Sequence, residues 1–246
     1  MKPLSAVITH LFHSGFAVET INHFLIFDYS EPDGTTASAT LSDGSIDHGL
    51  LESKENVYVF VTHRHSDHFM ESILLWQQIN PEIQMIFSDD VPVEEAMNVH
   101  KMKPYEKLKI NEVSIESFGS TDEGISYFVK ADQLSFFHAG DLNWWHWKEF
   151  TPKQQKQEEL DFKQEVQLLV DKKIDVAFVP VDPRLEEAFH WAGKYFIEKV
   201  KPSLFVPMHF GLDFDITREF AKEVSRSESN TVIIEHRGQQ ILFTKS

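Results

Sequence analysis

The sequence contains no cysteine among its 246 residues. Disulfide bridges are therefore excluded, and so are thiolate metal ligands and cysteine nucleophiles. A Gly-x-Ser-x-Gly motif and a Gly-x-x-x-x-Gly-Lys-Ser/Thr loop are also absent. These absences argue against an α/β-hydrolase with a serine nucleophile and against a P-loop nucleotidase. Any metal that the chain binds must be held by nitrogen and oxygen atoms.

Long apolar runs are missing as well. No run reaches the length of about 18 residues that a membrane-spanning helix needs. Residues 1–10 lack the apolar core and cleavage site of a secretory signal. We therefore expect a cytoplasmic protein with no membrane partner.

Positive charge is scarce. The chain has 39 Asp and Glu against 23 Lys and Arg, a formal net charge of -16, and it has no dense basic cluster. Because binding to long DNA or RNA depends on neutralising many phosphates, we do not expect such a partner. A small-molecule substrate is expected instead. The sequence leaves the oligomeric state open, so a homo-oligomer is an alternative to a monomer.

What the sequence does contain is material for a large core, with 41% hydrophobic residues and 21 Phe. We predict a single domain over residues 1–246, since sandwich and α/β domains often reach this length. Short strands dominate the first half, with helices expected at 69–78 and 91–99. The second half alternates helices with strands in β-α-β units. Its helices are expected at 152–172, 185–199 and 217–225.

The most informative segment follows the apolar strand Val57–Val61. It places His63, His65, Asp67 and His68 within six residues. In an extended chain the two imidazoles of His63 and His65 point the same way. Asp67 and His68 come at the turn that follows, where the chain can direct both toward a neighbouring point. Such a concentration of imidazole and carboxylate ligands predicts a metal site, whereas a solvated polar turn is the alternative.

A cluster of six residues needs further ligands from elsewhere in the chain. Asp141 follows an apolar strand and the flexible residue Gly140, and His209 ends a third apolar strand. Strand ends that meet at one rim of a sheet commonly build a site in α/β proteins. We therefore expect Asp141 and His209 to join the cluster.

These residues carry a family resemblance. The pattern His-x-His-x-Asp-His at 63–68, the later Gly140-Asp141 and the still later Pro-x-His ending at His209 resemble metallo-β-lactamase-fold hydrolases over nearly the full chain. Among them, the short chain is most similar to the lactonase-like and phosphodiesterase-like cytoplasmic branch. The resemblance implies an α/β (α+β) fold, a four-layer αββα sandwich, with a site for two metal ions.

The resemblance also implies roles for individual residues. His63 and His65 would hold one metal, Asp67, His68 and His209 the other, and Asp141 would bridge the two. Asp28, at the end of an early strand, would accept a hydrogen bond from a ligand imidazole or steady the cluster loop. An ordinary turn residue is the alternative for Asp28.

One departure from the family pattern concerns the first metal. The family usually supplies another histidine between the cluster and Asp141, but the stretch 117–125 contains none. Asp122 is the favoured replacement, and an acid without a ligand role is the alternative. His138, His146 or additional water could also complete that metal. Filling of both metal sites is therefore less firmly predicted than filling of one.

A divalent metal with an open position lowers the pKa of bound water to about 7, so it supplies hydroxide without a nucleophilic side chain. We therefore predict a metal-dependent hydrolase in which metal-bound hydroxide attacks a small ester, lactone or phosphodiester. Asp67 is the candidate catalytic residue, because it could orient the hydroxide or carry a proton. Zinc suits the histidine-rich ligands, while manganese and iron are alternatives.

The aromatic stretch 143–147 next to Asp141 could wall a substrate pocket. Trp144, His146 and His190 are the candidate pocket residues, and core packing is the alternative for the tryptophans. For His13 and His190, a structural or surface role is favoured over a place at the rim.

Three other functions share these features. An RNA-processing or nucleotide phosphodiesterase on the same fold would need a basic groove, which the acid excess disfavours. A di-iron redox protein of this fold usually carries Glu where His65 stands, as well as a flavin domain. A non-catalytic metal-binding module would be consistent with the missing histidine.

Overall fold

The computed structural model describes residues 4–227 and 229–245, which form two mixed sheets of seven strands each. In the first sheet, strand order is β14-β1-β2-β3-β4-β5-β6, antiparallel from β14 to β3 and parallel from β3 to β6. Its strands are β1 (Ser5–His10), β2 (Phe16–Glu19), β3 (Phe24–Phe27), β4 (Val57–Val61), β5 (Gln84–Ser88), β6 (Val99–Met102) and β14 (Gln240–Thr244).

The second sheet has the order β13-β12-β11-β10-β9-β8-β7, parallel from β13 to β10 and antiparallel from β10 to β7. Its strands are β7 (Lys107–Ile110), β8 (Val113–Phe118), β9 (Ser126–Ala131), β10 (Leu134–His138), β11 (Val176–Pro180), β12 (Leu204–Met208) and β13 (Asn230–Thr231).

Helices cover the outer face of each sheet. Next to the first sheet lie α1 (His48–Ser53) and α2 (Trp76–Ile79), whose residues Leu51 and Trp76 pack with that sheet's outward side chains. Three helices contribute side chains to the core with the second sheet: α3 (Pro152–Gln167), α4 (Trp191–Val200) and α5 (Asp215–Glu223). Within the described residues, none of these helices combines the length and apolar character needed to cross a membrane.

The main core lies between the two sheets. The rings of Phe16 on β2 and Phe178 on β11 are 4.6 Å apart. Every residue of β3, β4 and β11 is buried, as expected for strands covered on both faces. The layers therefore run helix, sheet, sheet, helix, and the predicted αββα sandwich is confirmed.

Several predicted helices differ from the structure. Residues 69–78 form a 3₁₀ turn, Glu71–Leu75, before the short α2. The helix predicted at 91–99 is wrong, because Pro92 disfavours helical backbone at Val91 and the chain continues into β6 instead. The helix predicted at 185–199 is divided into a 3₁₀ segment, Pro183–Ala188, and α4, with non-helical backbone at Glu186.

Candidate metal centre

The candidate ligands lie at the carboxyl ends of strands. The cluster loop follows β4, Asp141 follows β10, and His209 follows β12. Because β10, β11 and β12 are parallel, their carboxyl ends meet at one edge of the second sheet. Gly140 has a φ of +53°, and a Cβ atom there would lie 2.8 Å from Thr62 Cβ. Glycine at 140 thus allows the Asp141 loop to reach the cluster loop.

The cluster loop bends sharply instead of continuing as an extended chain. The backbone N–H groups of His68 and Phe69 both donate to the carbonyl oxygen of His65, at 2.9 and 2.8 Å. The rings of His63 and His65 lie 4.7 Å apart and nearly perpendicular. His63 and His68 are fully buried, whereas the His65 side chain is 43% exposed.

Asp141 stands at the centre of the site. Its Oδ1 atom is 3.2 Å from His68 Nε2 and 3.1 Å from His209 Nε2. Its Oδ2 atom is 3.5 Å from His63 Nε2. The Asp141 carboxylate therefore lies between imidazoles from two loops.

Two groups of side chains place their potential ligand atoms within 4.8 Å of one another. The first group is His63, His65 and Asp141, and the second is His13, Asp67, His68 and His209. The structure thus brings together all six residues that the sequence predicted most directly as ligands. It also adds His13, which the sequence favoured as a structural or surface residue.

Hydrogen bonds prepare three of the histidines as ligands. His68 Nδ1 lies 2.7 Å from Asp28 Oδ2, and His209 Nδ1 lies 3.1 Å from Asp182 Oδ2. A carboxylate only accepts, so in the neutral ring each Nδ1 carries the proton and each Nε2 presents a lone pair. Although Arg184 Nη2 is 3.3 Å from His209 Nδ1, the fully buried Asp182 is closer and anionic, so the proton stays on Nδ1.

His63 is oriented through Thr62. The Thr62 hydroxyl donates to Asp28 Oδ2 at 2.6 Å, so its oxygen is free to accept from His63 Nδ1 at 3.1 Å. His63 Nε2 therefore also presents a lone pair. Asp28 has the position that the resemblance implies, since one carboxylate supports both His68 and His63.

The site fits a metal. The Nε2 atoms of His63, His68 and His209 and the Oδ1 atom of Asp141 are buried, and none forms a well-directed hydrogen bond although the Asp141 oxygens lie 3.1 to 3.5 Å from the three nitrogens. A buried polar atom without a partner costs about 1 to 3 kcal/mol. A divalent cation between these atoms would satisfy them together, and imidazole and carboxylate suit zinc, manganese or iron.

The electrostatics of the metal-free site agree with this fit. Burial alone would lower the pKa of His209, but Asp141 and Asp182 outweigh it and raise that pKa to about 9. Burial likewise opposes charge on His68, whereas Asp141 and Asp28 raise the pKa of His68 well above its ordinary value. In the metal-free site His68 and His209 therefore hold an extra proton, and a metal ion must displace that proton from each ring before the ring can bind it.

His138 does not replace the histidine that the family pattern would supply between the cluster and Asp141. Its Nε2 donates to the Ser14 carbonyl oxygen at 2.8 Å, and its Nδ1 accepts from Gly140 N–H at 3.2 Å. Neither ring nitrogen is left for a metal. His146 packs its ring 4.5 Å from that of Trp191 and joins neither group of ligand atoms.

Two carboxylates lie near the first group. Asp122 lines the same cavity as His65 and Asp141 but belongs to neither group of ligand atoms, so its role as a ligand stays a prediction. Glu123 is closer to the imidazole, with Oε2 3.5 Å from His65 Nε2. Arg64 binds both oxygens of Glu123 at 2.8 Å, which holds that carboxylate beside His65.

A cavity of about 300 Å³ opens onto the two groups. Its wall is aromatic on one side, where the rings of Trp145 and Trp147 stack 5.6 Å apart. The guanidinium of Arg184 lies 5.6 Å from the centre of the Trp147 ring. The cavity is lined by His65, Asp67, Thr121, Asp122, Asp141, Trp145, Trp147, Phe150, Glu158, Arg184 and His209.

The pocket residues expected from the sequence are not among these lining residues. Trp144 faces the other way, with its ring 6.3 Å from that of Phe162, and His146 packs on Trp191. Trp145 and Trp147 stack on each other at the cavity, whereas Trp144 and His146 pack against Phe162 and Trp191, so the first pair lines the cavity in place of the second. His190 sits at the start of α4, with its ring 5.1 Å from that of Phe189.

Two supporting residues were missed at the sequence level. Asp182 follows β11 as Asp28 follows β3, so the same strand-end rule would have indicated it. Arg184 is held by Asp182 through hydrogen bonds of 2.6 to 3.0 Å. No spacing in the sequence relates either residue to the cluster.

Comparisons with known proteins bear on the fold. No family model matches the sequence, and neither does any curated protein. Igni18, a novel metallo hydrolase from the archaeon Ignicoccus hospitalis, has 15% identity and a TM-score of 0.66, covering 98% of this chain and 100% of its own. YhfI from Bacillus subtilis, a metallo-β-lactamase fold protein, has 11% identity and a TM-score of 0.62, covering 99% and 100%.

A third structure has a different chemistry. CmlA from Streptomyces venezuelae, a diiron β-hydroxylase, has 10% identity and a TM-score of 0.60, covering 96% of this chain and 54% of its own. Similarity at such identities carries the architecture and not the reaction. Together with the two packed sheets and their outer helices, it shows that this chain has the metallo-β-lactamase fold.

Proposed function

We propose that the protein is a metal-dependent hydrolase of small esters, lactones or phosphodiesters. The observation that carries the proposal is the convergence of buried, unpartnered Nε2 atoms from His63, His68 and His209 on the carboxylate of Asp141. Burying several imidazoles and a carboxylate side by side, without well-directed hydrogen bonds, costs folding free energy unless a ligand satisfies them. Fold similarity alone would leave the reaction open.

Two divalent ions could be held. His63, His65 and Asp141 would bind one, and Asp67, His68, His209 and Asp141 the other. When bound, such a metal polarises a carbonyl or phosphoryl oxygen and lowers the pKa of water to about 7. Zinc is proposed because imidazoles dominate the donor atoms.

The chain's own groups around the cavity would handle substrate and protons. The Asp67 side chain is 46% exposed and lines the cavity, so it can accept a proton during attack and pass it to a leaving group. Trp145 and Trp147 offer a flat apolar face for the body of a substrate. Arg184 stands beside them and can bind a carbonyl or an anionic oxygen.

The cavity also restricts the substrate class. Its volume of about 300 Å³ is near the lower end for ligand pockets, which supports a small molecule. The wall carries Asp67, Asp122 and Glu158, while Arg184 is the fixed positive charge among the described lining residues. An acidic wall repels long polyanions such as RNA, whereas bound divalent ions would offset the charge of the wall for a small phosphodiester. A cytoplasmic location belongs to the same proposal and rests on the sequence.

Metal analysis and hydrolysis assays on the metal-loaded protein test the proposal. Bound metal is identified by elemental analysis, and hydrolysis is measured with a lactone, a 4-nitrophenyl ester and bis(4-nitrophenyl) phosphate. We expect zinc and turnover of at least one substrate. His65→Ala should lower kcat/KM by about 100-fold or more. His48→Ala, which removes an exposed histidine of α1, is the control and should leave the rate unchanged.

Other outcomes separate the alternatives. The hydrolase would be rejected if the protein kept its metal, hydrolysed no substrate class, and showed no measurable difference between wild type and His65→Ala. That result would favour a non-catalytic metal-binding module. Retained iron with oxygen-dependent chemistry and no hydrolysis would favour a redox protein.

A further inference from the structure

A tight turn between β1 and β2 brings His13 to the metal centre. Leu11 N–H donates to the Gly15 carbonyl oxygen at 2.9 Å, and Gly15 N–H donates to the Phe12 carbonyl oxygen at 2.6 Å. His13 itself adopts a φ of +52°, which is uncommon for a residue with a side chain. A Cβ atom at Gly15 would lie 2.9 Å from the Phe12 oxygen, so the turn requires glycine there. The strain at His13 indicates that its position is imposed by the surroundings.

His13 lies against the second group of ligand atoms. Its side chain is buried, and the centre of its ring is 4.1 Å from that of His209. Its Nε2 atom is 3.5 Å from Asp67 Oδ2 and has no hydrogen-bond partner. By distance alone, His13 would count as another metal ligand beside Asp67, His68 and His209.

The hydrogen bond on the other side of the ring contradicts that interpretation. The backbone N–H of Gly211 donates to His13 Nδ1 at 3.1 Å. A ring nitrogen that accepts a hydrogen bond carries no proton, so the neutral His13 ring carries its proton on Nε2. A protonated Nε2 has no lone pair for a metal. Because an imidazolium carries protons on both ring nitrogens, a ring that accepts at Nδ1 is neutral.

Three of the four candidate ligand histidines have the opposite arrangement. His68 and His209 place Nδ1 against carboxylates, and His63 places Nδ1 against an accepting hydroxyl, so each presents a lone pair at Nε2. Besides His65, the site therefore contains three imidazoles prepared to bind a cation and one, His13, prepared to donate a hydrogen bond.

We propose that His13 is not a metal ligand but a hydrogen-bond donor, whose Nε2–H binds an oxygen atom of the substrate at the metal centre. The second part of the proposal rests on the proposed function, whereas the first part does not. The Nε2 atom of His13 is buried and lies 3.5 Å from Asp67, which lines the cavity, so the donor stands at the inner end of the cavity beside the metal centre. Because negative charge grows on a carbonyl or phosphoryl oxygen during attack, a fixed donor there stabilises the transition state more than the substrate.

Metal binding tests the first part without any reaction. Bound metal per chain and the dissociation constant by chelator competition are measured for His13→Gln, His13→Ala and the matched variant His209→Gln. Thermal unfolding of each variant checks that it folds. We expect both His13 variants to bind metal within about threefold of wild type, and His209→Gln to lose about tenfold or more. Equal losses in His13→Gln and His209→Gln would overturn the proposal.

Long-range ¹H–¹⁵N NMR spectra of the metal-loaded wild type show which ring nitrogen of each histidine carries the proton, without any substitution. We expect the proton of His13 on Nε2 and the protons of His63, His68 and His209 on Nδ1. A His13 ring with its proton on Nδ1 would overturn the assignment even if all variants failed to fold.

Binding of inorganic phosphate to metal-loaded protein tests the second part, again without turnover. We expect His13→Ala to weaken phosphate binding about tenfold or more, because a hydrogen bond to a charged oxygen is lost. His13→Gln should restore most of the affinity, since its amide nitrogen can donate from a similar place. Equal phosphate affinity in wild type and His13→Ala would refute substrate contact. These results hold or fail independently of whether the chain hydrolyses any ester.

Discussion

Replacement of Asp28 by asparagine is the sharpest test of how the metal centre is prepared. Asp28 is fully buried, and its Oδ2 atom accepts from both Thr62 Oγ1 at 2.6 Å and His68 Nδ1 at 2.7 Å. Its Oδ1 atom accepts from Thr62 N–H at 2.8 Å. The residue has a φ of +43°, which asparagine also tolerates. The substitution therefore preserves shape and backbone while it changes charge and hydrogen-bonding capacity.

The expected loss follows from this geometry. In the Asp28→Asn variant the amide oxygen could still accept from Thr62 N–H, but the NH₂ group would then face two donors, the Thr62 hydroxyl and His68 Nδ1–H. Removing one group that supports a ligand histidine typically lowers metal affinity about 10- to 100-fold. Because Asp28 supports both His68 and, through Thr62, His63, we expect the upper end. A 100-fold loss corresponds to about 2.8 kcal/mol.

The assay is competition for zinc between the folded protein and a chromophoric chelator. Glu158→Gln is the matched control. Like Asp28→Asn it removes one negative charge, but Glu158 lies on the cavity wall and supports no ligand histidine. We expect Asp28→Asn to bind zinc about 100-fold more weakly than wild type, with the control close to wild type. If a folded Asp28→Asn protein bound zinc as tightly as the control, hydrogen bonds from Asp28 would not set the state of the ligands.

Three further predictions concern stability, pH and substrate. Gly140→Ala should lower the free energy of unfolding by about 1 to 3 kcal/mol in chemical denaturation, because the backbone is left-handed and a Cβ atom would collide with Thr62; unchanged stability would contradict this. The pKa of His209 is raised from 6.5 to about 9 in the metal-free site. The protonated His209 ring therefore stabilises the metal-free protein fully below pH 6.5, and this stabilisation is lost as pH rises through 9. Metal affinity should rise over the same range, and calorimetry in buffers of different ionisation enthalpy should show proton release; affinity independent of pH would refute the assignment. Trp145→Ala should raise KM roughly tenfold, whereas Trp144→Ala, which alters packing against Phe162, should reduce thermal stability and leave KM unchanged; equal effects on KM would show that the cavity wall is wrongly assigned.

The convergence of the candidate ligands was predictable because local rules govern it. A buried strand followed by closely spaced histidines and an acid limits where the side chains can go, and parallel strands bring their carboxyl ends to one edge. Asp141 and His209 could therefore be placed with the cluster before any coordinates. The strand and helix pattern indicated short strands followed by β-α-β units, and the family resemblance implied the layer architecture.

Other features depend on packing that no local pattern records. Residues 143–147 are aromatic on both sides, and the neighbouring α3 and α4 side chains decide which side faces the cavity. Trp144 packs on Phe162 of α3, which leaves Trp145 for the cavity wall. The apolar residues at 91–99 have helical spacing, but Pro92 and the pairing of β6 with β5 determine an extended path instead.

For His68, His209 and His13 the role is decided by the partner of the Nδ1 atom, and those three partners are remote in sequence. Asp28 is 40 positions from His68, Asp182 is 27 positions from His209, and Gly211 is 198 positions from His13. A carboxylate partner prepares a ligand, and a backbone N–H partner prepares a donor. Counting histidines near the cluster would make His13 a ligand like the others, whereas hydrogen bonds supplied by distant strand ends assign it the opposite function.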